Sequence, residues 1–389
     1  MILRNFGWAF GGTVLALAAA TLFWGWAGLG VVLILAILEI SLSFDNAVVN
    51  AGVLRRMSPL WQRIFLTVGV LVAVVGMRLV FPLLVVGLTA QIGPQTVIQL
   101  ALDPRRTYDG MDYAQHLSAA HPAIAAFGGM FLLMIFLGFL FEENEISWLD
   151  WLEKPLQRIG REPQLPVLIS LVLLLVTARL FAGAHAETVL LSGIAGLATF
   201  LAVSGLSEWF EASQESEPDG GEGEGDAGRS GPARARAHAQ VAGKAAVFLF
   251  IYLEVLDASF SFDGVVGAFA VSRNLFQIAL GLGIGALYIR SLTVYLVRRG
   301  TLDDYVYLEH GAHYAIGALA VILLISIRYD VPELVTGLIG VLFIASALYS
   351  SIRQRRADRA AEAEAQAGEA GEALPPPQPA DDTESARSS

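Results

Sequence analysis

The chain has 389 residues, of which 55% are hydrophobic and only 16% are charged. Apolar runs of about 20 residues recur along it, which excludes a large soluble protein and predicts an all-α, polytopic membrane helical bundle. Since there is no cysteine, disulfides and thiolate metal sites are excluded as well. The net charge of -11 comes largely from one acidic loop and the tail, so it indicates no nucleic-acid partner.

Hydropathy predicts about nine to ten transmembrane helices in two membrane halves. We place spans at residues 7–27, 29–51, 64–90, 122–141, 164–182, 186–206, 243–270, 274–297, 311–328 and 332–352. The predicted regions are an N-terminal transmembrane helix (1–28), a first half (29–206) with a polar loop (92–121), an acidic disordered linker (207–242), a second half (243–352) and a disordered tail (353–389).

One acidic pattern occurs twice, each time inside a long apolar span. The first copy is Glu39-Ile-Ser-Leu-Ser-Phe-Asp45-Asn46, and the second is Asp257-Ala-Ser-Phe-Ser-Phe-Asp263-Gly264. A carboxylate in hydrocarbon costs roughly 2.5 kcal/mol or more. A pair repeated at equal spacing therefore favours a cation site built from two repeats. The alternative is that these acids are polar groups at helix interfaces and bind no substrate.

The spacing within the motif predicts an interrupted helix. Six positions along a straight helix turn a side chain through about 600° and advance it about 9 Å, so Glu39 and Asp45 point to different sides of an intact helix. We expect unwinding there, helped by serines that divert backbone hydrogen bonds, and the same at Ser259, Ser261 and Gly264. The oxygen-rich set suits Mn²⁺, Mg²⁺ or Ca²⁺. Predicted metal ligands are Glu39, Asp45, Asn46, Asp257 and Asp263, supported by Ser43 and Ser261.

Lysine and arginine counts predict a multi-pass protein of the cell (inner) membrane with both termini in the cytoplasm. The second span then runs inward and the seventh outward, although both carry the same motif. This is typical of an inverted-topology repeat, whose site lies near the midplane between the halves.

Two arginines also lie inside predicted spans, each one helix after an acidic motif. Because an unpaired intramembrane arginine is costly, Arg78 and Arg290 are expected to lie within salt-bridge reach of the motif acids. They would hold the empty site neutral and give way to a cation. Static structural pairs, or side chains that snorkel to an interface, are the alternatives.

Further candidates flank the second half of the site. Glu254 lies one turn before Asp257 and is either a fifth carboxylate or an interfacial residue. Glu309, His310 and His313 open the ninth span, where the histidines share a helix face. They would add nitrogen ligands and favour a transition metal such as Mn²⁺, or form a polar cap at a helix start.

The two motifs resemble those of the TerC family of integral membrane proteins, named from tellurium resistance. The first copy resembles its Glu-x5-Asp-Asn signature and the second its later Asp-x5-Asp signature, although Gly264 stands where serine is common there. The helices that carry Arg78 and Arg290 also resemble those that follow each motif in TerC. The stretch from Tyr307 to Leu319 resembles an uncharacterised branch beside TerC. The resemblance implies divalent metal efflux, of manganese in particular.

We therefore expect an exporter of a divalent cation, most notably Mn²⁺, as transported substrate, with no tightly bound cofactor. Its partners would be the metal ion and the lipid bilayer, and its oligomeric state stays open. No nucleotide-binding loop or His-Glu-x-x-His motif is present, so no enzyme is expected. Two alternatives remain: a membrane scaffold in the response to tellurite, metal or pH stress, with structural acids, and a metal-dependent membrane enzyme.

Overall fold

The structure, a computed structural model, describes residues 2–103, 105–142, 146–159, 164–215, 243–300 and 305–372. Over these ranges the chain forms helices and no β-strand, which confirms the all-α prediction. In chain order the elements are α1 (Ile2–Leu42), α2 (Phe44–Leu54), α3 (Pro59–Leu71), a π-helical segment (Val72–Val80), α4 (Phe81–Thr89), α5 (Pro94–Leu102), α6 (Tyr113–Ala119), α7 (His121–Phe141), α8 (Asp150–Ile159), α9 (Leu165–Leu180), a 3₁₀ turn (Gly183–His185), α10 (Ala186–Glu215), α11 (Gly243–Val271), α12 (Leu275–Arg299), α13 (Leu308–Ser326) and α14 (Glu333–Glu372).

Within those ranges, seven helices are long and apolar enough to cross a membrane, as a polytopic bundle requires. They are Phe6–Leu42, Pro59–Thr89, His121–Phe141, Gly183–Leu206, Leu275–Arg299, Leu308–Ser326 and Leu334–Ala361. The shorter apolar helix α9 and the motif-bearing helix α11 coincide with two more of the predicted spans. Large apolar side chains such as Leu22 and Trp26 are over 80% exposed, as expected of a surface that faces lipid.

Helix α1 is a hairpin of two arms that reverse at Gly25. Its φ of 68° and ψ of -162° lie in a region that glycine alone occupies readily. Ala16 and Ala20 on the first arm share an apolar cluster with Val32 and Ala36 on the second, the pairing expected of antiparallel arms. The first arm and the second arm therefore correspond to the first two predicted spans.

The core of the bundle surrounds α7. Met130, Phe131 and Leu132 on this helix are all fully buried, and α10 and α13 pack along it. Because α7 is apolar on every side, it is suited to this central position, where protein rather than lipid covers it. The helices that carry the acidic motifs are held against this core.

Three predicted boundaries differ from the structure. The polar loop 92–121 contains two helices, α5 and α6, and α10 continues to Glu215 inside the predicted linker. Helix α14 continues to Glu372, well past the predicted start of the disordered tail at residue 353. The segment after residue 353 is rich in Ala, Glu and Arg, which have high helix propensities. Residues 216–242 and 373–389 lie outside the described ranges.

Candidate functional site

The first acidic motif lies where α1 ends and α2 begins. Ser43 has φ -101° and ψ 16°, which interrupts the helix between Glu39 and Asp45 and confirms the expected break. Asp45 stands in the first turn of α2. The positive end of the helix dipole favours an anion at this position. The break therefore separates the two acids and places one of them at a helix N-terminus.

The second motif lies in the unbroken helix α11, so the predicted interruption is wrong there. Ser259 donates a hydrogen bond of 2.9 Å to the Val255 carbonyl, a back-bond that the helix accommodates without ending. The Ser261 hydroxyl is buried without a hydrogen-bond partner among the described residues. The Asp263 side chain lies outside the part that the structure describes, so its predicted role as a ligand stays a prediction.

Arg78 pairs with the first acid of the first motif. It stands in the last turn of the π-helical segment, a rare geometry that is frequent at functional sites. Its Nη2 lies 2.5 Å from Glu39 Oε1, and its Nη1 donates to the Ala73 carbonyl at 2.8 Å. Both charged side chains are almost wholly buried, so each neutralises the other in a place with little water.

Arg290 pairs with the corresponding acid of the second motif and with one neighbour. Its guanidinium donates to both oxygens of Glu254, at 3.0 and 2.9 Å, and to Asp257 Oδ2 at 3.3 Å. It also lies over the Phe65 ring, 4.3 Å from the centroid. Glu254 is thus a buried partner of Arg290 and not an interfacial residue. The prediction that each arginine lies within salt-bridge reach of a motif acid is confirmed.

The two ion pairs belong to one electrostatic cluster. The Asp257 carboxylate lies near enough to Glu39 for the two negative charges to repel each other. The Arg78 guanidinium lies near enough to Glu254 for the opposite charges to attract. In both halves, an arginine one helix after the motif pairs with the first motif acid. Three carboxylates and two guanidinium groups therefore share the space between α1, α11, α12 and the π-helical segment.

Asp45 lies outside these pairs and borders a cavity of about 570 Å³, here called the acidic cavity. Among the described residues, Asp45 forms no salt bridge. A Cβ at Gly340 of α14 would overlap the Asp45 carboxylate, so the glycine at this position leaves the space that the carboxylate fills. The polar and small lining residues nearest to the motif are Glu39, Ser43, Asp45, Asn46 and Gly264.

A second cavity, of about 780 Å³, lies at the other end of the same helices and is here called the arginine cavity. Its polar lining includes Arg55, Arg56, Glu142, Glu309, His310 and His313. Helix α7 contributes its first residues to the acidic cavity and its last turns to the arginine cavity, whereas α13 does the reverse. The two cavities therefore approach the centre of the bundle from opposite ends.

The helices that carry the two motifs run in opposite directions between these cavities. Helix α2 begins at the acidic cavity and ends at the arginine cavity, while α11 runs from the arginine cavity to the acidic cavity. Opposite directions are what an inverted repeat requires. The superposition of the two halves stays a prediction.

A family model described as "Protein of unknown function (DUF475)" matches residues 44–358. The chain belongs to the DUF475 family. The match begins in the first turn of α2 and ends within α14, so it includes Asp45, both arginines and the whole second motif. No curated protein and no solved structure matches this DUF475 chain.

The histidine cluster of this DUF475 protein is not part of the acidic cavity. Glu309 pairs with Arg55 at 2.6 Å, and His310 Nε2 lies 2.9 Å from the Ile146 carbonyl oxygen. The His313 ring stacks on Phe139, with centroids 3.9 Å apart. These contacts agree with the alternative of a polar helix start. Their role as nitrogen ligands stays a prediction, and α13 begins at the arginine cavity, at the opposite end of these helices from Asp45.

The described residues contain no group of three or more His, Cys, Asp or Glu side chains that could hold a metal ion. Arg78 and Arg290 pair with the carboxylates of Glu39 and Asp257. In this conformation the predicted ligands Glu39 and Asp257 are paired with arginines, whereas Asp45 and Asn46 line the acidic cavity.

Glu153, a buried carboxylate on the amphipathic helix α8, was not predicted from the sequence. It accepts hydrogen bonds from the backbone N–H groups of Trp148 and Leu149, both at 3.1 Å, and from the Tyr314 hydroxyl at 3.0 Å. His310 Nε2 lies 3.6 Å away. Glu153 thus joins α8 to the start of α13. The only signal in the sequence was an acid on the apolar side of an amphipathic segment.

Proposed function

We propose that this DUF475 protein exports a divalent cation across the cell membrane, with Mn²⁺ as the first substrate to test. One observation carries the proposal. Asp45, at the start of a broken helix, borders one of two cavities that enter opposite ends of the same helices. Broken helices near the midplane are where transporters bind their ions.

The ligands around Asp45 support a hard cation. The carboxylate, the Ser43 hydroxyl and the Asn46 amide supply oxygen, the ligand atom that Mn²⁺, Mg²⁺ and Ca²⁺ accept. Because Asp45 has no arginine partner in the described part of the chain, its charge remains for a cation. The resemblance of both motifs to TerC favours Mn²⁺ among these ions.

The basic residues suggest a direction. With both termini in the cytoplasm, as lysine and arginine counts predict, Arg55 and Arg56 face the cytoplasm and the arginine cavity is the entrance. The acidic cavity is then the exit. In this proposal the buried pairs of Arg78 and Arg290 keep the centre close to neutral while no cation is bound.

The decisive experiment measures Mn²⁺ flux with the purified full chain in proteoliposomes that contain a metal-sensitive dye. The parent should carry Mn²⁺, and Asp45→Asn should lower the flux at least about tenfold, since the amide keeps an oxygen but loses the charge that attracts a dication. Asp150→Asn is the matched control, because Asp150 is exposed on α8 and pairs with the exposed Lys154. Asp263→Asn tests the second motif in the same assay.

Cellular metal content supplies an independent test. Mass spectrometry of cells with and without the protein should show lower manganese when it is present. Immunoblots of membrane fractions must show equal insertion of parent and variants. The proposal fails if the parent gives no flux above empty liposomes, or if Asp45→Asn transports as fast as the parent. A scaffold would give no flux at all and would copurify with a stable partner.

A further inference from the structure

Asn50 is a buried side-chain amide of α2. It lies on α2, one turn after Asn46, and its side chain is 1% exposed. Neither its Nδ2 nor its Oδ1 has a hydrogen-bond partner among the described residues. A buried amide with both ends unsatisfied is disfavoured in a folded protein, so such a group calls for a functional explanation.

The position of Asn50 along α2 offers a functional explanation for this unsatisfied amide. Asp45 and Asn46 line the acidic cavity, whereas Val49 and Gly52 line the arginine cavity. Asn50 lines neither cavity, and on its face of α2 it lies between Asn46, which lines the acidic cavity, and Val53, which lines the arginine cavity. The advance from Asn46 to Asn50 is about 6 Å along the helix, and side chains four apart share a face.

The motif helix α11 also has buried residues between the stretches that line the two cavities, here called the closed layer. On α11, Phe260 lines the acidic cavity and Leu256 lines the arginine cavity. Asp257 and Ser259, which lie between them, are both buried. A cation that passes between the cavities must cross this layer, where Asp257 is already paired with Arg290.

We infer that Asn50 is a transit ligand, whose Oδ1 takes over a hard divalent cation between the closed layer and the Asp45–Asn46 site. This inference rests on the proposed cation transport and adds a second binding position to it. A neutral amide oxygen suits this role, because an ion that crosses a barrier must be bound favourably enough to enter and weakly enough to leave. Its amide then finds a partner only during transport.

The test compares Asn50→Ala, Asn50→Leu and Asn50→Asp with the parent in proteoliposomes, with Mn²⁺ alone as the probe. Both flux and equilibrium Mn²⁺ binding are measured. Alanine and leucine should each lower the flux at least about tenfold, while binding stays within about threefold because Asp45 and Asn46 remain. Asn50→Asp keeps an oxygen ligand and should keep the flux within about threefold.

Gln62→Met is the matched control. Gln62 is also a buried amide, but its Nε2 donates to the Met57 carbonyl at 3.1 Å and it lines neither cavity. The Gln62→Met protein should transport Mn²⁺ as fast as the parent. Thermal unfolding of every variant in detergent separates a loss of transport from a loss of folding, and Asn50→Ala carries the test if the leucine variant does not insert.

The outcomes separate the two proposals. Parental flux in Asn50→Ala overturns the transit ligand, as does a block by leucine alone, which would show only steric obstruction. Equal loss of flux in the alanine and aspartate variants, together with a lower unfolding temperature, assigns Asn50 to packing and also overturns it. An inactive parent that binds no Mn²⁺ refutes the proposed function itself.

Discussion

Arg78 Nη2 lies 2.5 Å from Glu39 Oε1, and neither side chain is more than 6% exposed. Glu39 was predicted as a metal ligand, yet its carboxylate is first of all the partner of a buried guanidinium group. Asp45, six residues later, has no such partner in the described part of the chain and borders a cavity. The two acids of one motif thus have different electrostatic surroundings.

Removal of Arg78 should destabilise the protein strongly. Arg78→Gln leaves the Glu39 carboxylate buried without its counter-ion, which costs about 3–5 kcal/mol of unfolding free energy. Thermal or denaturant unfolding in detergent measures this loss. The double variant Glu39→Gln with Arg78→Gln should recover most of it. Lys154→Ala breaks an exposed pair with Asp150 and should cost at most about 0.5 kcal/mol. Equal losses of unfolding free energy in Arg78→Gln and Lys154→Ala would contradict the prediction.

A side chain at Gly340 should displace Asp45. A Cβ there would overlap the Asp45 carboxylate, and an enlarged residue in a packed contact typically costs about 1–3 kcal/mol. We expect Gly340→Ala to weaken Mn²⁺ binding, as measured by equilibrium titration. Gly11→Ala is the control, because nothing lies within 4 Å of a Cβ at Gly11 on α1. Unchanged binding in Gly340→Ala would show that Asp45 tolerates displacement or does not bind the cation.

The two cavities should open to opposite sides of the membrane. The natural chain has no cysteine, so single Ser→Cys changes can be labelled without background. Ser326 lines the acidic cavity and Ser204 lines the arginine cavity, whereas Ser170 is fully buried and lines neither. A membrane-impermeant thiol reagent should label the Ser204→Cys protein from the cytoplasmic side and the Ser326→Cys protein from the other.

The Ser170→Cys protein should resist the reagent from both sides in the same vesicles. Labelling of the first two variants from the same side would contradict the opposite openings. Labelling of each from the reverse side would preserve the two openings but invert the predicted orientation.

Loss of the Glu153 carboxylate should release α8 from the bundle. Its hydrogen bonds to two backbone N–H groups and to Tyr314 join α8 to α13, and bonds to a charged group contribute about 1.5–3 kcal/mol each. Glu153→Ala should therefore raise hydrogen exchange over residues 148–159 and lower stability by about 3 kcal/mol. Asp150→Ala, an exposed change on the same helix, should leave exchange nearly as in the parent. Protected amides in Glu153→Ala would refute this role.

Some of the candidate site followed from the sequence. The cost of charge in hydrocarbon predicted that Arg78 and Arg290 have acidic partners, and the spacing of Glu39 and Asp45 predicted a helix break between them. Both were confirmed, because each follows from a local rule about charge or helix geometry. The expected interruption at Ser259 and Ser261 was wrong, because α11 continues through both residues while Ser259 donates its hydroxyl to the Val255 carbonyl.

By itself, the sequence determined the all-α class and ten apolar segments, all of which are helical over most of their length. It could do so because hydropathy and helix length depend on neighbours along the chain. Only the tertiary structure decided how Glu39, Asp45 and Asp257 are partnered. It also placed His310 and His313 at the cavity opposite Asp45, and it left the buried Asn50 amide without a hydrogen-bond partner among the described residues. These relationships join residues far apart in the chain, and the order in which the helices pack determines them.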